Sequence, residues 1–391
     1  VIAGGGLAAQ RCAETLRRCG YEGSIRMVCG ELHRPYDRPA LSKEALGAEG
    51  LERSLRFRSD EWYERNSVEL LLGTGARALD HRGRVLHLSD GSRLRYSSLL
   101  IATGARPREL PMFQGAENAS VLRTLEDAAA LREALAAGSR LLVIGAGFIG
   151  QEVASAARSA GLSTTIVEAA AAPLAPLLGA PLGAWFAELH RSQGVEVLLH
   201  AHVTGVRAER GTRDERRIRG VALASGRTLE CEHVLVGVGV TPDLDWLAGS
   251  PLDTRGVRTD PDGRTEIPDV YAAGDAAAAF DPALGRHVVE GHWESAARQG
   301  ARAAKAMLGI DPGAHAPASF WSDLYGTRVQ YLGHAPGADD VSFDGDPSSR
   351  EFAATFTRAG RPVAVLLVDR PQMLPHARAL LTATTPERIA A

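Results

Sequence analysis

Two glycine fingerprints about 140 residues apart, GGGLAA at Gly4 to Ala9 and GAGFIG at Gly145 to Gly150, constrain this chain more than any other feature. Each ends a short apolar run, opens a helical pattern, and is followed about 20 to 25 residues later by a strand ending in glutamate, at Glu31 and Glu168. In such a strand-turn-helix unit the first glycine, Gly4 or Gly145, makes the tight bend. The second, Gly6 or Gly147, lets backbone approach a pyrophosphate, and the third position, Ala9 or Gly150, packs helix on strand. Leu7 and Ala8 in one copy, and Phe148 and Ile149 in the other, complete the helix starts of the candidate sites. A single motif of this kind is weak, since a glycine-rich connection without a ligand reads the same way. Two in the same context imply two dinucleotides, and a protein that holds both is most simply one that passes electrons between them.

The two glutamates stand where a carboxylate accepts hydrogen bonds from ribose hydroxyls. At Glu168 the same charge would repel a 2'-phosphate, and the following AAAAPLAP offers no arginine to neutralise one, so NADH is favoured over NADPH.

At 391 residues the chain has room for two or three domains. The 44 basic and 47 acidic residues nearly cancel, at a net charge of -3, which argues against nucleic-acid and membrane partners. No apolar run reaches the ~18 residues of a membrane span. The chain opens inside a strand, so a few native residues are expected to precede Val1, and a cytoplasmic location is the default. Cys12, Cys19, Cys29 and Cys231 form no CxxC or CxxxxC pair and are expected to be buried structural thiols. Of the 44 basic residues only Lys43 and Lys305 are lysine. Arginine would serve at most surface sites, so each surviving lysine carries extra weight.

Residues 1 to 31 read as strand, helix, strand. HRPYDRPALSKEAL then marks a loop into a helix near Ser42 to Leu46, and Val68 to Ser98 holds short strands with a hairpin turn at Ser89 to Ser92. From about 111 the pattern restarts, with LEDAAALREALAAG as a helix ended by Gly138 and the charged ERGTRDERR as a solvated hairpin tip. The segment VLVGVGVTPDLDWL followed by TEIPDVYAAGDAAA is expected to rejoin the first sheet. The fold class that follows is α/β: two Rossmann-like dinucleotide-binding domains and a small α+β C-terminal domain with an antiparallel sheet. The expected domains are 1-110 with 235-315, 111-234, and 316-391. No metal site is suggested.

ATGARP at Ala102 to Pro107, which contains Thr103 and Gly104, YAAGDAAA around Gly274 and Asp275, and the doubled fingerprint resemble the two-dinucleotide flavoprotein reductases. PYDRPALSK at Pro35 to Lys43 and FWSDLYG at Phe320 to Gly326 are similar to the NADH:ferredoxin reductases of oxygenase systems, the putidaredoxin, rubredoxin and aromatic-ring dioxygenase reductase type. That resemblance covers essentially the whole chain and implies FAD at the first turn and NADH at the second. It places Asp275 at the ribityl and phosphate region of FAD, Arg38 and Arg123 along the FAD, and Gly239 in the second site. It also implies a lysine beside the flavin N5, Lys43, paired with a glutamate, Glu152, as the catalytic set. A cation there favours the reduced anionic flavin, and a carboxylate holds the cation in place. Trp321 and Trp293 match tryptophans at the flavin. Simpler readings exist for each: Lys43 as a helix-start surface residue, Glu152 as a first-turn carboxylate favoured by the macrodipole, and the tryptophans as core packing. Gln151 departs from the family pattern, which has an apolar residue there.

The resulting expectation is an FAD-dependent NADH:ferredoxin oxidoreductase, monomer or homodimer, whose partner is a two-iron ferredoxin or a rubredoxin feeding a dioxygenase or haem monooxygenase. Ferredoxins are usually acidic, so arginines near the flavin edge would steer docking. A disulfide, persulfide or peroxide reductase would need a thiol in the loop from residue 33 to 43, which has none. A quinone or monodehydroascorbate reductase shares the hydride step, and a redox-sensing flavoprotein of the apoptosis-inducing-factor type shares the layout.

Overall fold

The computed structural model describes residues 1–47, 52–210 and 215–383. Two five-stranded parallel sheets carry the two glycine turns, and in both the strand leading into the turn is the central one. The first sheet runs Val270–Ala272, Leu99–Ile101, Ile2–Ala3, Ile25–Cys29 and Val68–Leu72 in spatial order. The second runs Glu196–Leu198, Ser163–Val167, Arg140–Ile144, His233–Val236 and Ala119–Ser120. A parallel strand covered on both faces must be apolar throughout, and Leu99, Leu100 and Ile101 are fully buried. Each such side chain contributes about 1.5–3 kcal/mol by burial. The ligand crevice of an open α/β sheet lies beyond the C-terminal end of its central strands.

The two halves repeat one plan. After the opening strand-helix-strand each inserts a three-stranded antiparallel sheet, Ala76–Asp80, Val85–Leu88 and Arg93–Arg95 in one, and Val203–Arg210, Arg216–Leu223 and Thr228–Glu230 in the other. Each then returns to its parallel sheet, at Leu99–Ile101 and at His233–Val236. The expected hairpin at Ser89 to Ser92 joins two of these strands. The tip of the ERGTRDERR hairpin lies outside the described residues. Val270 pairs with Leu99 in register, so the TEIPDVYAAGDAAA part of the late segment joins the first sheet, whereas the strand that opens the segment, His233–Val236, stays with the second. A division at residue 235 would cut His233–Val236, whose four residues all pair with the second sheet, so the boundary falls after Val236.

The helix expected near Ser42 to Leu46 is broken in two. A 3-10 turn spans Arg38–Ser42 and a short helix Glu44–Gly47, with Lys43 at the junction. Pro39 near the start of the first turn supplies no N–H to extend it backward. The helix Ala175–Ser192 is likewise interrupted at Gly179, which has φ +74°.

Residues from Ser319 form an antiparallel five-stranded sheet, Ser319–Leu324, Thr327–Gly333, Arg361–Val368, Glu351–Arg358 and Asp340–Asp346, backed by the helix Leu374–Ala383. Its other face shares a core with the helix Ala175–Ser192, where Leu178, Leu182 and Phe186 pack with Phe320, Phe352 and Leu366. Among the described residues no helix is long and apolar enough to cross a membrane.

Candidate functional site

The two turns are built alike at the level of single atoms. Gly4 has φ +136°, and a Cβ there would lie 2.0 Å from the Ala102 carbonyl oxygen, so only glycine fits. Gly145 has φ +99°, and its Cβ would lie 2.4 Å from the Gly237 carbonyl oxygen. Around Gly6, by contrast, nothing stands within 4 Å of a Cβ position. The helices Leu7–Arg18 and Phe148–Ser159 start on Gly6 and Gly147 with no side-chain cap. The helix Leu125–Ala137 instead carries a full capping box from Thr124 and Asp127. Uncapped helix starts keep their N–H groups available for an anion, and the space beside Gly6 admits a pyrophosphate.

A cavity of about 670 Å³ opens from the first turn. All the first-turn candidates line it: Gly4, Gly6, Leu7, Ala8, Glu31, Arg38, Ala102, Thr103, Gly104, Arg123, Gly274 and Asp275. Lys43, Phe148, Ile149, Glu152, Trp293 and Trp321 line it as well. At one end Glu31 accepts hydrogen bonds from Tyr36 Oη at 2.6 Å and Arg38 Nη2 at 2.5 Å, which aligns the carboxylate and the guanidinium along the wall. Arg123 Nη2 meets Asp275 Oδ2 at 2.9 Å and passes close to Gly104, whose φ of +75° and missing side chain leave it room. These residues fit a large dinucleotide such as FAD: free amides and space at Gly6, a carboxylate at Glu31, and charged groups along the length.

At the other end Lys43 Nζ lies 2.7 Å from Glu152 Oε2, with side chains 17% and 7% exposed. Ser42 Oγ donates to Glu152 Oε2 at 2.5 Å and Ser322 Oγ to Glu152 Oε1 at 2.7 Å. One carboxylate on the second dinucleotide helix thus collects a cation and a hydroxyl from the first unit and a hydroxyl from the C-terminal sheet. Three charge-assisted contacts satisfy a group that would be costly to bury alone. Trp293 and Trp321 meet edge to face at 5.3 Å, and Trp293 Nε1 donates to Asp37 Oδ1 at 2.5 Å. Burial pushes the Asp37 carboxyl up, partly offset by that hydrogen bond. Phe148 packs on Phe320 at 4.4 Å, which seats the second helix against the C-terminal sheet.

Gly145, Gly147, Gly150, Glu168 and Gly239 do not line this cavity; all but Gly239 belong to the second turn. Gly150 is wedged 2.2 Å, by its Cβ position, from the Gly145 carbonyl oxygen and serves helix-strand contact. Gly239, at φ +102°, accepts a hydrogen bond from Arg108 N. Glu168 Oε2 accepts from Ala146 N and Oε1 from Ala170 N, each at 2.7 Å, so the carboxylate rests against the turn.

No cysteine lines the cavity. Cys12, Cys29 and Cys231 are buried, while Cys19 is half-buried, short of the expectation for all four. Burial pushes Cys12 and Cys29 up to about 12 and Cys231 up to about 11, so these thiols are poor nucleophiles. Reading the sequence missed Ser42, Ser322, Tyr36, Asp37 and His292, the last of which lines the cavity and packs on Phe320 at 4.5 Å. The first four sit inside the motifs PYDRPALSK and FWSDLYG, but only the packing aims them at Glu152, Glu31 and Trp293.

Residues 1–300 match the pyridine nucleotide-disulphide oxidoreductase family model and residues 319–391 the reductase C-terminal model. The chain is 36% identical, over 98% of its length and 94% of the relative's, to the ferredoxin–NAD(+) reductase component of an anthranilate 1,2-dioxygenase system from Burkholderia cepacia. It is 33% identical to putidaredoxin reductase from Pseudomonas putida, over 99% and 92%. Superposed on the crystal structure of the covalent putidaredoxin reductase–putidaredoxin complex it gives a TM-score of 0.93 at 32% identity, covering 98% of this chain and 92% of that one. The chain belongs to the pyridine nucleotide-disulphide oxidoreductase family, in its branch of ferredoxin–NAD(+) reductases with a reductase C-terminal domain.

Proposed function

We propose that this protein is an NADH:ferredoxin oxidoreductase that holds FAD along the Gly4 turn, receives NADH at the Gly145 turn, and delivers electrons to a two-iron ferredoxin or a rubredoxin serving a dioxygenase or haem monooxygenase. The observation that carries the reading is the position of Glu152. It belongs to the helix of the second turn, yet it lines the cavity that starts at the first and binds Lys43 at 2.7 Å. Two dinucleotides extended from the two turns would meet there.

Bound FAD supplies the step from a two-electron hydride to single electrons. The chain's own residues do the rest. The free amides after Gly6 and Gly147 take the pyrophosphates. Glu31 takes ribose hydroxyls, and Asp275, aligned by Arg123, takes the ribityl and phosphate region. Lys43 offers a compact cation at the meeting point, kept in place by Glu152. Trp293 and Trp321 wall that end against water. Glu168 selects NADH by repelling a 2'-phosphate. With no thiol on the cavity, electrons leave to a protein partner rather than to a disulfide. The protein acts as a cytoplasmic monomer or homodimer.

The test is NADH-driven cytochrome c reduction with and without a purified two-iron ferredoxin or rubredoxin. Strong dependence on the added iron protein is expected. Rapid quinone reduction with no response to any iron protein would overturn the reading in favour of a quinone reductase.

A further inference from the structure

The departure at Gln151 leads to a feature that the electron path above does not use. Gln151 and His190 are buried, 1% and 0% exposed, and join in a polar chain through the second unit. Gln151 Nε2 donates to the Ala146 carbonyl oxygen at 3.0 Å. Gln151 Oε1 lies 3.2 Å from His190 Nε2, and His190 Nδ1 lies 2.7 Å from Tyr325 Oη. One carbonyl sets every direction in this chain. An amide NH2 must face Ala146, so the amide oxygen faces His190, so Nε2 carries the proton, and the lone pair at Nδ1 accepts from the Tyr325 hydroxyl. Burial pushes His190 down to about 4, so the ring is neutral and can keep that tautomer.

Ala146 lies between the two glycines of the second turn, and both of its backbone groups are held. Its N–H goes to Glu168 and its carbonyl to Gln151. The carbonyl of Ala146 and the N–H of Gly147 share one planar trans peptide and point in opposite directions. Anchoring the first therefore aims the second, the amide of the glycine at which backbone approaches a pyrophosphate. At the far end Tyr325 stands in the two-residue turn between the first two strands of the C-terminal sheet, with φ +53°. A side chain this large is strained at that angle and stays only where contacts hold it. Two do so: the hydroxyl on His190, and the backbone N–H on Ser155 Oγ at 2.9 Å.

We infer that Gln151, His190 and Tyr325 are positioning residues for the nicotinamide dinucleotide, and that through them the C-terminal domain sets the affinity of the second turn. The inference rests on assigning NADH to that turn. It concerns binding of the dinucleotide, whereas Lys43 and Glu152 concern what happens after it is bound.

The experiment uses the full-length FAD-loaded protein and ADP-ribose, which carries the adenosine and pyrophosphate of NADH without its reactive ring. Isothermal titration is made on the wild type, Gln151→Leu and Tyr325→Phe, and rapid-mixing reduction by NADH gives the apparent dissociation constant and the limiting rate. Losing the anchor on Ala146 should weaken ADP-ribose by about tenfold in Gln151→Leu, and losing one hydroxyl by about threefold in Tyr325→Phe. FAD content and the limiting rate should stay within about twofold in both, a split that general loosening of the fold would not give. Unchanged ADP-ribose affinity in Gln151→Leu overturns the inference. Unchanged affinity in Tyr325→Phe overturns the link to the C-terminal domain, and remains measurable if Gln151→Leu does not fold. A wild type that fails to bind ADP-ribose would remove the assignment of the second turn itself.

Discussion

Lys43→Met separates an electrostatic role for the lysine from a structural one. Methionine keeps the length and the apolar stem while removing the charge that lies 2.7 Å from Glu152. Breaking one side of a buried ion pair costs about 3–5 kcal/mol. Here Ser42 and Ser322 still donate to the same carboxylate, and Lys43 is 17% exposed, so about 2–3 kcal/mol is expected and the protein should fold and retain FAD. A charged contact to the reduced flavin is worth about 1.5–3 kcal/mol. Its loss should slow NADH-dependent flavin reduction by about 10- to 100-fold and lower the two-electron potential by about 30–60 mV. Glu152→Gln removes the opposite charge in the same place and should raise the potential. Stopped-flow bleaching of the flavin gives the rate, and equilibration with reference dyes gives the potential. If both variants move the potential in one direction, or Lys43→Met leaves rate and potential unchanged, the pair acts only as a strut between units and the electrostatic reasoning fails.

The two glycines of the first turn should separate folding from binding. Gly4→Ala forces a Cβ to 2.0 Å from the Ala102 oxygen at φ +136° and should give poorly folded protein, whereas Gly6→Ala enters open space and should fold normally with reduced FAD content; full FAD occupancy in purified Gly6→Ala would contradict this. Glu168→Ala should narrow the preference for NADH over NADPH, because it removes the charge facing a 2'-phosphate. It should also weaken NADH somewhat, since Ala146 N loses its acceptor, and a constant ratio of kcat/KM for the two nucleotides would refute the assignment. Burial pushes His190 and His233 down to about 4, below the ~6.5 of an unfolded histidine. Between those values the unfolded chain binds more protons, so stability should fall as pH drops from about 6.5 to about 4. The thermal midpoint measured at pH 7 and pH 5 should drop less in His233→Gln than in the wild type.

Much of this protein was written in short stretches of its sequence. Gly4 and Gly145 announce their turns because a positive φ and a close backbone approach are local demands that few other residues meet. The apolar strands and the capped helix after Thr124 are equally local, set by periodicity and by hydrogen bonds a few residues long. The scarcity of lysine even drew attention to Lys43. Tertiary structure decided which of these stretches face one another. Ser42 and Glu152 are 110 positions apart, and Ser322 and Glu152 are 170 apart, yet all three meet at one carboxylate. Gln151 read as a mere departure from pattern until His190 and Tyr325 arrived beside it from two other elements. The physical reason is the difference between backbone and side-chain requirements. A turn or a strand answers to its own neighbours in the chain, while a buried polar side chain needs a partner, and packing alone determines which distant segment supplies it.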